Sequence, residues 1–248
     1  MPALDDLFLT ALIFTAAVLY SSVGHAGASG YLASMALFGL APEVMRPAAL
    51  TLNILVASLA VYRYTRAGQN DLRLLLPFIV TSVPAAFAGG LLIVPPFVYR
   101  PLVGAVLLLA AIQFIRTARD AAERDSATKP PNIPIALGTG AGLGLLAGVT
   151  GTGGGIFLSP LLLFMRWTNT RRTSGIAATF ILVNSIAGLA GTSFSVQALP
   201  AALPLWGLAA LIGGLLGTWL GTKLLPIPGL RFVLAAVLIV ASAKMLLT

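Results

Sequence analysis

The sequence predicts an all-α polytopic membrane protein, arranged as an inverted-topology repeat of two five-helix halves with eight longer spans and short glycine-broken helices. Three observations carry that expectation. The 248 residues are 58% hydrophobic and only 9% charged, with a mean hydropathy of +0.98, against roughly 25% charged in a typical soluble domain. Ten apolar runs, punctuated by Pro, Gly and charge, divide equally about one polar stretch. Two glycine-rich strings, Ser21-Ser22-Val23-Gly24-His25-Ala26-Gly27-Ala28-Ser29-Gly30 and Gly148-Val149-Thr150-Gly151-Thr152-Gly153-Gly154-Gly155, stand at matching places in the two halves.

The apolar runs of the first half are residues 7–22, 27–41, 46–63, 73–95 and 98–116. The start before them, with Asp5 and Asp6, lacks the basic region of a cleavable signal peptide, so the first run is expected to stay in the mature protein. Runs 27–41 and 154–166 adjoin the glycine strings and are shorter than the roughly 20 residues that cross a ~30 Å hydrocarbon core. Half-helices or tilted hairpin arms are expected there. Between Arg116 and Asn132 the chain is charged and ends in Lys129-Pro130-Pro131, the mark of a linker. The second half then reads as 133–149, 154–166, 173–192, 199–222 and 229–247. The domain expectation is therefore a first membrane repeat over 1–118, a cytoplasmic linker over 119–132, and a second, inverted repeat over 133–248.

Lys and Arg accumulate on the cytoplasmic side of membrane proteins, which sets direction. With the acidic start placed outside, only Arg46, Arg100 and Lys244 of the 15 basic residues fall outside. Both termini are then expected outside a cell membrane, the inner membrane if the source is bacterial. An odd number of segments per half turns the second half upside down relative to the first. Each glycine string is followed by a short apolar arm, a charged turn (Pro42-Glu43-Val44-Met45-Arg46 or Thr168-Asn169-Thr170-Arg171-Arg172), and a span holding Thr51 and Asn53 or Thr179 and Asn184. Paired interruptions in two inverted halves are a sequence pointer to a transporter's binding site.

The chemistry expected at the breaks is anion binding. A helix that begins inside the bilayer presents unpaired N–H groups carrying about half a positive charge from the aligned peptide dipoles. Glycines let an oxyanion reach the main chain, and nearby hydroxyls add donors. The candidate substrate-binding residues are Ser22, Gly24, His25, Gly27 and Ser29, with Ser21 beside them, in the first break. In the second they are Thr150, Gly151, Thr152, Gly153, Gly154 and Gly155. Thr51, Asn53, Thr179 and Asn184 line the path between. All seven acids, Asp5, Asp6, Glu43, Asp71, Asp120, Glu123 and Asp125, lie at expected ends or loops, so no embedded carboxylate is available for a cation or proton relay.

Other classes are disfavoured by composition. Net charge +8 and pI ≈ 10.6 come from scattered residues at the ends of apolar runs, so no nucleic-acid partner is expected. The chain has no Cys and one His, which excludes disulfides, thiolate sites and a His-based metal cluster within one chain. The glycine-rich run lacks the Gly-Lys-Ser/Thr ending of a phosphate loop, so ATP is not expected. Gly138, Gly140, Gly142, Gly144, Gly213, Gly214 and Gly217 read as close-packing surfaces. Asn53 and Asn184 have an equally ordinary reading as bonds between helices, and His25 as a packing histidine.

At these residues the chain resembles the TauE/SafE family of membrane transporters, the sulfite exporters and their relatives. Gly151-Thr152-Gly153-Gly154-Gly155, followed by Ser159-Pro160, is similar to the family's glycine-triplet-then-proline signature. The string Val23 to Tyr31, with Ala48-Ala49-Leu50-Thr51-Leu52-Asn53, resembles one branch, although His25 and Ser29 depart from a plain triplet. The likeness spans nearly the whole chain. It implies movement of small inorganic or organic sulfur-containing anions such as sulfite or sulfonates through alternating access, without a cofactor and without catalysis. Export is the expected direction, because an inside-negative potential favours anion efflux by about 2.3 kcal/mol per charge per 100 mV. A passive anion channel or an importer of the same fold is the alternative. Gly27-Ala28-Ser29-Gly30 also spells the nucleophile string of rhomboid intramembrane proteases, but the single His precedes Ser29 and no imidazole base follows it.

Overall fold

A computed structural model describes residues 3–22, 25–119, 130–192, 199–223 and 228–247, and among them there are helices and short connections but no strand. The helices of the first half are α1 (Ala3–Ser22), α2 (Ala28–Leu37), α3 (Pro42–Arg66), α4 (Leu72–Leu91) and α5 (Pro96–Arg119). Those of the second are α6 (Ile133–Thr150), α7 (Gly155–Phe164), α8 (Thr170–Thr192), α9 (Leu203–Lys223) and α10 (Pro228–Leu247). Among the described residues α1, α3, α4, α5, α6, α8 and α9 are long and apolar enough to cross a membrane. The eighth expected long span corresponds to α10, whose described apolar stretch is the shorter Ala235–Leu247. At 10 residues each, α2 and α7 extend about 15 Å, half the hydrocarbon thickness.

Three boundary expectations are corrected. Pro42 to Arg46 is no connecting turn but the opening of α3, with Pro at the first positions and Glu43 in the first turn. Proline's fixed φ and missing N–H suit a helix start, and a carboxylate there meets the positive end of the dipole. Likewise Thr170 to Arg172 already belong to α8, and α9 begins at Leu203 rather than 199.

The packing is built across the halves. α1 lies on α9, α4 on α6, α5 on α10 and α3 on α8. Replacing each helix by its counterpart in the other half turns α1–α9 into α6–α4, α2–α3 into α7–α8 and α3–α9 into α8–α4, all of them observed contacts. Relative directions follow from paired residues. Gly213 and Gly217 of α9 face the backbone of Phe14 and Val18, so α1 and α9 run parallel. Gly140, Gly144 and Gly148 of α6 face Phe78, Ser82 and Ala86, so α4 and α6 are parallel too. Arg46 meets Thr192 and Asn53 meets Ser185, which makes α3 and α8 antiparallel.

Small residues permit these approaches. A Cβ on Gly140 would sit 2.6 Å from the Phe78 carbonyl, one on Gly213 2.6 Å from that of Phe14, and one on Gly144 or Gly148 would collide with the carbonyls of Ser82 or Ala86. In lipid, where apolar burial gives helices little drive to associate, such backbone contact is what holds them together. Gly138 and Gly142 do not belong to this surface: they are exposed, with nothing within 4 Å of an added Cβ. Leu76, Val80 and Phe87 of α4, and Leu208, Ile212 and Trp219 of α9, point outward as a lipid-facing surface would. α3 and α8 form the centre, with 61% and 72% of their apolar windows buried.

Candidate functional site

The two glycine strings break their helices. In the first, α1 stops at Ser22, His25 to Gly27 are non-helical, and α2 starts at Ala28 behind an N-cap Gly27 with φ 111°. In the second, α6 stops at Thr150 and α7 starts at Gly155, with φ 84°, 70° and 74° at Gly151, Gly153 and Gly154. Those left-handed values cost an L side chain roughly 1–2 kcal/mol per residue, so glycine is required by the backbone here.

The helix beginnings differ by location. α4 and α6 start after the polar turns and have side-chain caps, the Leu74 amide donating to Asp71 and the Ile135 amide to Asn132, both at 3.2 Å. At α8 the Arg172 amide donates to Asn169 at 3.0 Å. α2, α7 and α3 have no side-chain cap, but α3 opens on Pro42, which has no N–H to satisfy. The first amide to return into α2 is that of Tyr31, to the Gly27 carbonyl. In α7 it is that of Phe157, to the Gly154 carbonyl. The first-turn N–H groups of Ala28, Ser29 and Gly30, and of Gly155 and Ile156, are thus left for something other than the helix.

Around the first break the side chains support the backbone more than they line a space. Ser29 donates to the Tyr20 hydroxyl at 3.0 Å, Tyr31 to the Ala26 carbonyl at 2.7 Å, and the His25 amide to the Tyr20 carbonyl at 2.9 Å. Tyr31 lies under Gly27, where a Cβ would stand 2.7 Å from the ring. Tyr20 packs edge-on against Phe114 with centroids 5.4 Å apart. The Ser22 hydroxyl turns back to the Leu19 carbonyl. Gly24 lies outside the described residues.

The second break is held by its threonines. Thr150 donates to the Leu146 carbonyl at 2.6 Å and meets the Thr152 hydroxyl at 2.9 Å, while Tyr99 donates to the Thr150 carbonyl at 2.9 Å. Gly151 lies against the backbone of Arg46, and Gly153 lies further along α3, where its Cβ would be 3.1 Å from both Asn53 Nδ2 and Ser185 Oγ. Gly154 faces the Phe180 ring and the Leu143 carbonyl. The strand of glycines therefore descends between the central helices α3 and α8.

The breaks meet. His25 Nε2 is 3.1 Å from Ser159 Oγ, on the first turns of α7, and Ile156 joins the same buried core as Ala26 and Tyr31. Of the candidate path residues, Asn53 and Asn184 are fully buried, and each carries an Oδ1 without a hydrogen-bond partner. Two others are placed elsewhere. Thr51 donates to the Pro47 carbonyl of its own helix. Thr179 accepts from Asn70 at 2.8 Å and ties α8 to the turn before α4, beside an open cleft of about 340 Å³ lined by Asp71, Arg73 and Arg172.

Sequence reasoning did not single out Ser185 or the role of Ser159 opposite His25, and it treated Arg46 only as a topology signal. Arg46 is 7% exposed and donates to the Thr192 hydroxyl at 2.9 Å and to the carbonyls of Leu92 and Gly90. It closes the C-terminal ends of α4 and α8, where the helix dipole is negative. Its place beside Pro47, as one more charge at a span end, gave no such signal.

Comparison with known proteins adds the lineage. A family model described as "Sulfite exporter TauE/SafE" matches residues 9–245. "Probable membrane transporter protein y4hK" of Sinorhizobium fredii (strain NBRC 101917 / NGR234) is 39% identical over 243 residues, covering 98% of this chain and 98% of that protein. No solved structure matches the chain.

Proposed function

Since the chain belongs to the sulfite exporter TauE/SafE family, a family of membrane transporters, we propose that it carries small sulfur-containing anions such as sulfite or sulfonates. The anion is held by the first-turn amides of α2 and α7. The observation that carries this reading is that α2 and α7 start uncapped at glycine breaks, whereas α4 and α6 are capped by side chains and α3, also uncapped, opens on Pro42, which has no N–H to satisfy. Unpaired N–H groups at the two dipole ends, the first break joined to α7 by the His25–Ser159 bond, offer several charge-assisted hydrogen bonds of about 1.5–3 kcal/mol each.

Transport proceeds by alternating access, with one half rocking against the other around this site. Several helix contacts that persist when the halves are exchanged, with the parallel α1–α9 and α4–α6 pairs, support an inverted repeat. The direction is outward across the cell membrane, both termini facing outside, because the membrane potential drives an uncompensated anion out. Purified protein screened by thermal shift against sulfite, sulfate, thiosulfate and small sulfonates, then assayed for counterflow in proteoliposomes, tests the reading. Stabilisation and counterflow by at least one sulfur oxyanion are expected; indifference to all of them overturns it.

A further inference from the structure

One buried charge has no part in the site described above. Arg46 is 7% exposed, and its guanidinium rests on neutral acceptors only: the Thr192 hydroxyl, which takes both Nε and Nη2, and the carbonyls of Leu92 and Gly90. Nη1 has two hydrogens, and the second meets no acceptor among the described residues. Among those residues the one ion pair joins Arg172 to Asp71, at the opposite end of α8. Glu43, one turn earlier on α3, is exposed and forms none with Arg46. An ionised side chain inside a spanning segment is costly, and by default it marks a pathway for charge.

Closing a helix end does not require such a charge. The last carbonyls of α3 and α7 are taken by the backbone amides that follow, and Lys244 reaches the end of α2, on the Leu37 carbonyl, from a half-buried position. What sets Arg46 apart is its place on the second break. Gly151 lies on the Arg46 stem, where a Cβ would be 3.4 Å from Cγ, and Gly153 lies beside Asn53, two turns further along α3, about 10 Å at 1.5 Å per residue. Gly155, where α7 begins, is against Ile181 and Ala177 of α8, further still from Thr192. α7 finishes a short turn before α8 begins, so it runs away from Thr192 and its amino end points back along the glycines. The non-helical segment therefore leads from the α7 amides to Arg46.

We infer that Arg46 is the counter-charge for the transported anion at the face where α3 begins. As the anion moves between the α7 amides and that face, its oxygens displace the Leu92 and Gly90 carbonyls and take the guanidinium as a bidentate pair. The planar fork of arginine matches an oxyanion and keeps its charge at any working pH. Pairing two opposite charges offsets a desolvation cost that neutral carbonyls offset only in part. When the anion leaves, the carbonyls return, so Arg46 does not hold it. The inference rests on the anion reading given under the proposed function.

The test is the KM for sulfite counterflow, measured from each face in proteoliposomes of one orientation, for the wild type, Arg46→Gln and Arg46→Lys. Arg46→Gln keeps donors for the carbonyls but no charge. Its KM from the face where α3 begins should rise more than about tenfold, while the KM from the opposite face stays at the wild-type value. Arg46→Lys keeps the charge and should recover most of that loss. A role confined to closing helix ends predicts that both variants lose Tm and turnover alike, with the two KM values moving together. That result overturns the inference, as does an unchanged KM in Arg46→Gln beside a transporting wild type. If Arg46→Gln cannot be purified, Thr192→Val decides: it removes a competing acceptor and leaves the charge, so the KM from the face where α3 begins should fall, and an unchanged or higher value overturns the inference. A wild type that moves no sulfur oxyanion overturns the anion reading itself, and this inference with it.

Discussion

Within α6 and the residues after it, glycine serves two different purposes. Gly140, Gly144 and Gly148 are helical and let α4 approach until its carbonyls occupy the space of a Cβ; Gly151, Gly153 and Gly154 have positive φ and stop the helix. The first group is an assembly surface, the second a place where backbone polar groups are left available inside the bilayer. Buried side chains with unspent hydrogen-bonding capacity lie beside both groups, Ser82 beside Gly144 and Asn53 beside Gly153, so the backbone conformation is what tells them apart. The lesson is that abundance of glycine in a membrane segment says little, whereas its backbone conformation separates a packing surface from a break that frees backbone polar groups.

That separation can be broken by substitution. Gly148→Leu should have the largest effect, because the new side chain meets the Ala86 carbonyl and the Gly90 amide rather than a movable side chain; overpacking costs of about 1–3 kcal/mol are exceeded when backbone must shift. No monodisperse protein is expected from detergent extraction. Gly154→Leu should differ in kind. The Phe180 ring is its nearest neighbour at 3.0 Å, so protein should still be recovered with a Tm lowered by the left-handed strain of about 1–2 kcal/mol. Anion counterflow should nonetheless fall by more than about tenfold, the loss of one or more charge-assisted bonds. If Gly153 and Gly154 both accept bulky side chains with transport intact, the comparison fails.

How much of this was legible in the sequence follows from the same contrast. The break positions were visible because hydroxyls accompany the glycines in both halves, and hydropathy located every helix. The ends of α3 and α8 were misplaced because charge at a span boundary reads as a turn, although Pro42 with Glu43 is a helix-start signal. Thr51 and Thr179 were drawn into the site by their spacing from Asn53 and Asn184; a helical threonine can satisfy itself on the carbonyl four residues back, as both do. The partnership of His25 with Ser159 joins residues 134 positions apart, and no periodicity within one chain announces such a contact.

Smaller effects sharpen the account. His25→Ala removes the bond to Ser159 and the edge contact with Phe114, and about 1 kcal/mol for one hydrogen bond corresponds to roughly a fivefold weaker anion response in the thermal-shift assay. Gly138→Ala should change transport least, since an added Cβ there meets nothing within 4 Å. Helix propensity should raise stability by up to about 1 kcal/mol, read as an unchanged or slightly higher Tm. A Gly138→Ala protein as impaired as Gly154→Leu would mean that glycine position does not discriminate the two roles.

The most direct measurement is a crystal or cryo-EM structure of the protein soaked with selenite, a heavier analogue of sulfite. The account predicts bound selenite with its oxygens accepting from the first-turn amides of α2 and α7, beside His25 and Ser159. Selenium bound only in the cleft lined by Asp71, Arg73 and Arg172, with the two helix starts unengaged, would contradict it.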